Sequence, residues 1–366
     1  MKRLQFNDNG SVLILVLWML GLLTVFAVYL GIGVRQKLDF LNRLETRNKL
    51  SLIAEAGVKK AIAEIGNMDV ERSVISLGEP IFNNEAVFSQ SKIAEGWFTV
   101  GYNCRPDDFH AYGSVGDEKE MMFGVRDAAG NINLNFANRN ELIRLLQSAA
   151  GVEAYMADQI ASSIVDWRDR DSMSAPNGAE DNYYQGLKEP YDCKDDLFTT
   201  QEELCYVRGM TRGIFEKIEP YITVFGSGQV NINTAPKIVL NSLGLSNRLV
   251  TKILLFRCGE DKIPATADDR VFNSSSSVMA ELSQMYSLTP SEAAELSNLV
   301  SQGRITVNSG VFLIQSTAFL ERKNGKCKID CVLEKNLVPE TIRAGWILSW
   351  RIRYLNQEET YKLDNI

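Results

Sequence analysis

The sequence predicts an α+β protein: a long N-terminal helix packed on an antiparallel sheet, with a large α-helical domain inserted between the early and late strands of that sheet. Three observations carry this. Residues 11–34 form an uncharged apolar run that continues, without a proline, into an amphipathic stretch ending near Gly66. Aromatic and β-branched runs with strand character occur before about Asn131 and again after Gln302. Between those points the pattern changes to short helices and loops that contain an internal repeat.

The first element is the apolar run SVLILVLWMLGLLTVFAVYLGIGV, Ser11–Val34. Roughly 20 apolar residues, at about 1.5 Å of rise each, cross a bilayer core, so this run is long enough to span. Gly21, Gly31 and Gly33 are tolerated in lipid. A secretory signal peptide has a shorter apolar core and a small-residue cleavage site after it; no Ala-x-Ala follows here. Two readings fit: an uncleaved signal anchor, or a leader of the prepilin type, cut after a glycine that precedes the helix. Gly10 occupies that junction, and the mature chain would begin at Ser11. Lys2 and Arg3 precede the span, whereas Arg35, Lys37, Arg43, Arg47 and Lys49 follow it. The positive-inside bias alone would put the large C-terminal part in the cytoplasm.

From Arg35 to about Gly66, Leu38, Leu41, Leu44, Leu52, Ala56, Ile62 and Ile65 recur at helical spacing. Strands are expected at Trp97–Tyr102 and Met121–Val125. Late strands are expected at Val311–Glu321 and Cys327–Leu333, flanking a hairpin signal at Asn324-Gly325, and at Gly345–Tyr354. The organisation is a leader at 1–10, a span at 11–34, helix and first strands at 35–130, the inserted domain at 131–302 and closing strands at 303–366. Within the insertion, Asn133-Leu-Asn135-Phe-Ala137 and Asn231-Ile-Asn233-Thr-Ala235 share the pattern Asn-x-Asn-x-Ala-x4-Leu-x2-Leu. Each is followed by a Gly-apolar turn (Gly151-Val152; Gly244-Leu245) and a second apolar helix. An Asn ahead of a helix suits its unpaired N–H groups. Thr200–Tyr221 and Val278–Ser301 resemble degenerate further units.

The 366 residues are 45% hydrophobic with a formal net charge of −7, enough for two or three packed domains and unfavourable for a nucleic-acid partner. The single histidine, His110, argues against a His-based metal site or triad and reads as structural. Cys104, Cys193, Cys205, Cys258, Cys327 and Cys331 include no Cys-x-x-Cys pair, which argues against a zinc or redox motif. An even count suits an oxidising compartment. Cys327 and Cys331 would lie about 13 Å apart along a strand, too far to pair with each other.

The stretch most suited to chemistry runs from Asp166-Trp-Arg-Asp169-Arg-Asp171 to Gly178-Ala-Glu180-Asp181-Asn-Tyr183-Tyr184. Carboxylates at alternate loop positions suit Ca²⁺, which takes six to eight oxygens at flexible geometry. A long irregular loop also needs something to organise it. The spacing is not that of an EF-hand. The competing reading is a solvated acidic loop partly neutralised by Arg168 and Arg170. Asp192, Asp195 and Asp196 form a second acidic cluster, and Glu260, Asp261, Asp268 and Asp269 a third.

As an ordered set, Gly10-Ser-Val-Leu-Ile-Leu-Val-Leu-Trp18, Asp166-Trp-Arg-Asp169, Gly178–Tyr184, Glu203-Leu with Gly209-Met-Thr211, and Val230-Asn-Ile-Asn-Thr-Ala235 resemble the minor pseudopilin K family of the type II secretion system. The resemblance covers most of the chain. It implies a pilin-like fold carrying an inserted α-domain of helix-hairpin-helix or SAM-like repeats, and no enzymatic activity. It implies cleavage by the prepilin peptidase between Gly10 and Ser11. It also implies a single pass through the bacterial inner membrane with the bulk of the chain in the periplasm, against the charge bias above. The implied partners are minor pseudopilins I and J at the pseudopilus tip and the inner-membrane secretion platform. Calcium is implied in the inserted domain, carried onto Asp169, Asp171, Glu180 and Asp181, with Asp166 and Asp195 as further ligands. Most pilin-like subunits have a Glu at the fifth mature residue. Here that residue is Leu15, which fits family K and spares the span an expensive carboxylate. The family's N-methylation would fall on Ser11.

Two other classes fit less well. Helix pairs with an Asn-x-Asn-x-Ala lead-in also resemble DNA-binding helix-hairpin-helix modules, as in a membrane-anchored uptake receptor. Such binding needs positive charge or glycine amides aimed at phosphate, and residues 127–303 hold 24 acidic against 15 basic side chains. For an enzyme, no Gly-x-Ser-x-Gly, His-Glu-x-x-His or P-loop is present.

Overall fold

One unbroken helix of 59 residues, α1 (Asn9–Asn67), opens the chain in a computed structural model that describes residues 9–67, 79–105, 121–262, 268–321, 323–335 and 346–355. Its most apolar 18-residue window has a mean hydropathy of 2.6 and no buried residue. The second half is buried along one face, by Leu50, Ile53, Ala54, Val58, Ala61 and Ile65, spaced so that they share one side of the helix. Of the stripe expected from the sequence, Ile65 is buried in that face and Ala56 and Ile62 pack half-buried against the same core. Leu38, Leu41 and Leu44 are exposed because they precede the point where α1 meets the sheet, and Leu52 points away beside the buried Ile53. His110, Lys2 and Arg3 lie outside the described residues.

The chain continues through α2 (Glu85–Phe88), β1 (Ser91–Ile93), β2 (Gly96–Val100), β3 (Tyr102–Asn103), β4 (Met121–Met122), β5 (Arg126–Asp127) and β6 (Ile132–Asn133). The helical middle holds α3 (Arg139–Ala150), α4 (Ala154–Arg168), α5 (Asp181–Tyr184), α6 (Arg212–Ile218), β7 (Ile222–Thr223), β8 (Val230–Asn231), α7 (Lys237–Ser242), α8 (Asn247–Arg257), α9 (Val278–Met285), α10 (Pro290–Ser301) and β9 (Ile305–Thr306). The late strands are β10 (Val311–Leu320), β11 (Lys323–Glu334) and β12 (Trp346–Leu355).

Antiparallel strands in the order β1-β2-β10-β11-β12, with β5 also on β10, form the main sheet. Alternate residues of β10 and β11, such as Phe312, Ile314 and Ala318 or Cys327, Ile329 and Cys331, are buried in one core with α1, as the two-residue period of a strand dictates. The expected hairpin is present, but its tip is earlier than Asn324-Gly325. Leu320 pairs with Lys323 and Phe319 with Lys326, so Asn324 and Gly325 form a bulge within β11. The run Trp97–Tyr102 is cut at Gly101, where a Cβ would sit 2.6 Å from the Met122 carbonyl oxygen.

A second core runs from Ile132 to Val307. In it the repeat is larger than the sequence pattern suggests. β6 pairs in parallel with β7, and β8 with β9, so each unit is opened by an Asn-x-Asn strand and closed by an Ile-Thr-Val strand. Asn135 donates to the carbonyls of Phe198 and Val224 and accepts the Phe198 N–H. Asn233 repeats this with Phe272, Val307 and Phe272 N–H. Arg168 donates to the Ala137 carbonyl and Arg257 to the Ala235 carbonyl. Thr200–Tyr221 and Val278–Ser301 are therefore the closing parts of the two units. The repeated asparagines do not cap helices: Asn133 and Asn231 accept the N–H two residues on and fold the lead-in, while Asn138 caps α3 in a capping box with Glu141. Buried Glu141 also holds Arg304 through two bonds at 3.0 and 2.5 Å, tying the first unit to the end of the second.

Candidate metal centre

The acidic loop hangs between the end of α4 and the start of α5. It is held from below. Buried Asp166 accepts the Ala175 N–H at 3.1 and 3.2 Å. Gly178 crosses so close that a Cβ there would fall 1.9 Å from an Asp166 oxygen. Arg208 donates to the Gly178 carbonyl at 2.9 Å and lies over the Tyr183 ring at 4.6 Å. Tyr184, fully buried, packs edge-on against Trp167 at 5.3 Å. The motif residues downstream complete this frame. Glu203 accepts from Thr199, Thr200 and Lys194, Gly209 turns at φ +80° against Ile160, and Thr211 caps α6.

Within the frame, Asp169, Asp171 and Glu180 each bring an oxygen within 4.8 Å of the others, and Glu180, Cys193 and Asp195 do the same with two oxygens and a sulfur. Glu180 is 3% exposed. Neither of its oxygens accepts a hydrogen bond, and one buried oxygen each of Asp169 and Asp195 is equally unpartnered. Burial, then the charges of Asp195, Asp166 and Asp169, push Glu180 up to about 7. Burial, then Asp171, pushes Asp169 up. Burial and the Glu180 charge raise the Cys193 thiol to about 12. Buried carboxylate oxygens that accept no hydrogen bond are costly alone, and a hard cation with oxygen ligands would relieve them. The arginines bond elsewhere, and the Arg168 charge offsets the rise of Asp169 only in part. Arg168 is turned to the Leu134 and Ala137 carbonyls, and Arg170 meets Asp196 at 3.6 Å on the surface.

The structure brings together four of the six expected ligands. Asp166 is beside the group, engaged with Ala175. Asp181 is in neither group; it accepts the Cys193 N–H at 2.7 Å. Asp192 accepts from Gln185. In the third cluster, Asp268 accepts the N–H groups of Glu260 and Asp261. Cys193 was not legible as a site residue: Asp195 adjoins it in sequence, but only the fold brings Glu180 and Asp166 to it. Gly10 and Ser11 fall in the first turn of α1.

A sequence model of the family described as type II secretion system (T2SS), protein K, matches residues 123–227, which includes the whole acidic loop. The type II secretion system protein K of Aeromonas hydrophila is 26% identical over 235 residues, covering 62% of this chain and 67% of the relative. That of Pectobacterium carotovorum subsp. carotovorum is 31% identical over 134 residues, 32% of this chain and 41% of the relative. Among solved structures, a chain of the GspK-GspI-GspJ complex from the type 2 secretion system of enterotoxigenic Escherichia coli superposes with a TM-score of 0.62 at 16% identity, over 85% of this chain and 98% of that one. At that identity the likeness speaks for the fold.

Proposed function

We propose, from the premise that this chain belongs to the type II secretion system protein K family, that it is a minor pseudopilin that forms the tip of the pseudopilus with minor pseudopilins I and J. In that role it supports secretion across the outer membrane and is structural, not enzymatic. The observation that carries the reading is α1. Its first half is apolar and unburied among the described residues, while its second half is the spine of the sheet domain. That is the build of a subunit held in a membrane until it is extracted into a fibre. Leu38, Phe40, Leu41 and Leu44 continue an exposed apolar row beyond the span, which supports partner helices docking along it. The prepilin peptidase removes residues 1–10, and the bulk of the chain lies in the periplasm. The helix pairs α3/α4 and α7/α8, joined at Gly151 and Gly244, support a helix-hairpin-helix reading of each unit, and the inserted domain's bulk blocks a further subunit from stacking above. Calcium fits the unpartnered oxygens of Asp169 and Glu180 together with the neighbouring Asp171 carboxylate, with Asp195 adjoining; bound there, it would supply positive charge that fixes the loop.

The test is the intact mass of the protein recovered from membranes, with and without a co-expressed prepilin peptidase, followed by pull-down with I and J partners. Loss of Met1–Gly10 only with the peptidase, and capture of both partners, is the expected result. An unprocessed chain in both samples would leave a plain signal anchor and overturn the pseudopilin reading.

A further inference from the structure

Glu180 has two buried oxygens with no hydrogen-bond partner, yet it stands between two different donor groups. On one side are only oxygens, from Asp169 and Asp171. On the other are Asp195 and the sulfur of Cys193, a residue 7% exposed that carries a free thiol. This thiol lies against both carboxylates and is 3.8 Å from the Asp166 carbonyl oxygen, a long sulfur hydrogen bond. Asp195, a non-glycine residue at φ +52°, has a buried oxygen without a partner. A thiol does not suit calcium, whose ligands are oxygens. Cys and carboxylate donors together suit a borderline-soft ion, which binds thiolate sulfur readily and is satisfied by three protein ligands with a water.

We propose that Glu180, Cys193 and Asp195 form a thiolate–carboxylate site for a thiophilic divalent cation of the zinc class, adjoining the oxygen-only group and joined to it through Glu180. Binding forms a metal–sulfur bond and breaks the Cys193 S–H bond, whose proton leaves to solvent; no oxidation or reduction occurs. The two groups divide incoming cations by softness, so the loop that the oxygen-only group orders for a hard ion has a second, chemically distinct occupant.

The probe is Cd²⁺, whose thiolate complexes absorb by ligand-to-metal charge transfer in the ultraviolet. The full-length chain in detergent, stripped with chelator, is titrated and compared with Cys193→Ser, Cys205→Ser and Asp195→Asn. The expected result is a band saturating at one equivalent, absent from Cys193→Ser, unchanged in Cys205→Ser, and needing at least tenfold more Cd²⁺ in Asp195→Asn. Competition by Zn²⁺ should remove the band, and Ca²⁺ should not. No band in the parent chain, or a band that survives Cys193→Ser, overturns the proposal. So does an unchanged affinity in Asp195→Asn, which keeps the thiol and guards against misfolding of the cysteine variant. A Cys193-dependent band in a chain whose melting temperature ignores Ca²⁺ supports this site while removing the calcium reading.

Discussion

Asp127 is the point at which the chain leaves the sheet, and its loss should be among the costliest changes outside the hydrophobic cores. It is 4% exposed. Its Oδ2 accepts Asn231 Nδ2 at 3.0 Å, Thr234 Oγ1 at 2.5 Å and Ser309 Oγ at 2.6 Å, and its Oδ1 accepts the Ala129 N–H at 2.9 Å. Asp127→Ala strands buried donors at about 1–3 kcal/mol each. The two hydroxyls can rotate, and Asn231 keeps a bond to Ser309 at 2.8 Å. The net loss is therefore roughly 3–5 kcal/mol, or on the order of 10 °C in melting temperature for a body of this size. Asp127→Asn is the informative partner. Its amide oxygen can take the three-donor position and leave its NH₂ facing only Ala129, so about one bond is lost, at roughly 1 kcal/mol. The pH dependence has a definite sign. Burial outweighs the four hydrogen bonds and raises this carboxyl above its usual 3.8. The folded state then holds more protons than the unfolded state just above 3.8, so this group's contribution falls as pH rises through that window. Thermal unfolding of the full chain in detergent, followed by circular dichroism from pH 4 upward (about the foot of the window), reads all three. Equal costs for Ala and Asn, or an Ala variant as stable as the parent, would refute the assignment of this network.

The other expectations are narrower. Calcium at a hundredfold excess over its dissociation constant should stabilise the chain by about 2.7 kcal/mol, and Glu180→Gln or Asp169→Asn should abolish that gain; a parent chain whose melting is identical in calcium and in chelator would remove the ion. Gly57→Ala should destabilise by about 1–3 kcal/mol despite the better helix residue, because its Cβ would lie 2.2 Å from Ser316 Oγ and 2.8 Å from the Phe98 ring; a rise in melting temperature would contradict the close approach of α1 to the sheet. Glu292 is held down to about 2 by Lys252 and the Thr289 N–H. Its contribution is thus present above its ordinary 4.5 and is lost as pH falls toward 2, and acid unfolding of Glu292→Gln should lack this component.

Much of this was legible in the sequence because it is local. The uncharged run gives α1, and alternation in β10 and β11 gives their faces. The acidic loop is also local, and three of its six expected donors, Asp169, Asp171 and Glu180, lie together. What the sequence hid is contact between distant residues. The buried face of α1 depends on where the sheet touches it, so the expected leucine row was off that face. Asn324-Gly325 has turn chemistry, yet strand register placed it in a bulge. Ile222-Thr-Val224 and Ile305-Thr-Val307 are visibly alike, but only their parallel pairing with β6 and β8 shows that they close the repeats. Cys193 enters the site through Asp181, which holds its N–H.

The way the inserted stretch is attached bears on how the sheet forms. Val100 pairs with Ser316 across a long sequence separation, and closing so large a loop delays a strand pair. The insertion leaves at β5 and returns at β10, and these two strands pair, Asp127 opposite Phe312. Once the second core has collapsed, Asp127 and Ser309 are already neighbours, and the remaining closure is only that of β2 onto β10. Asn231 and Thr234, from the opening of the second unit, bind the same Asp127 oxygen, so they join both cores at the place where the strands must meet. We therefore expect Asp127→Ala to slow refolding as well as speed unfolding, whereas Gly57→Ala, whose clash develops when α1 docks on the finished sheet, should mainly speed unfolding. Denaturant-jump kinetics on the two variants decide it: a refolding rate for Asp127→Ala equal to the parent's would mean that the sheet assembles before the inserted core brings its ends together.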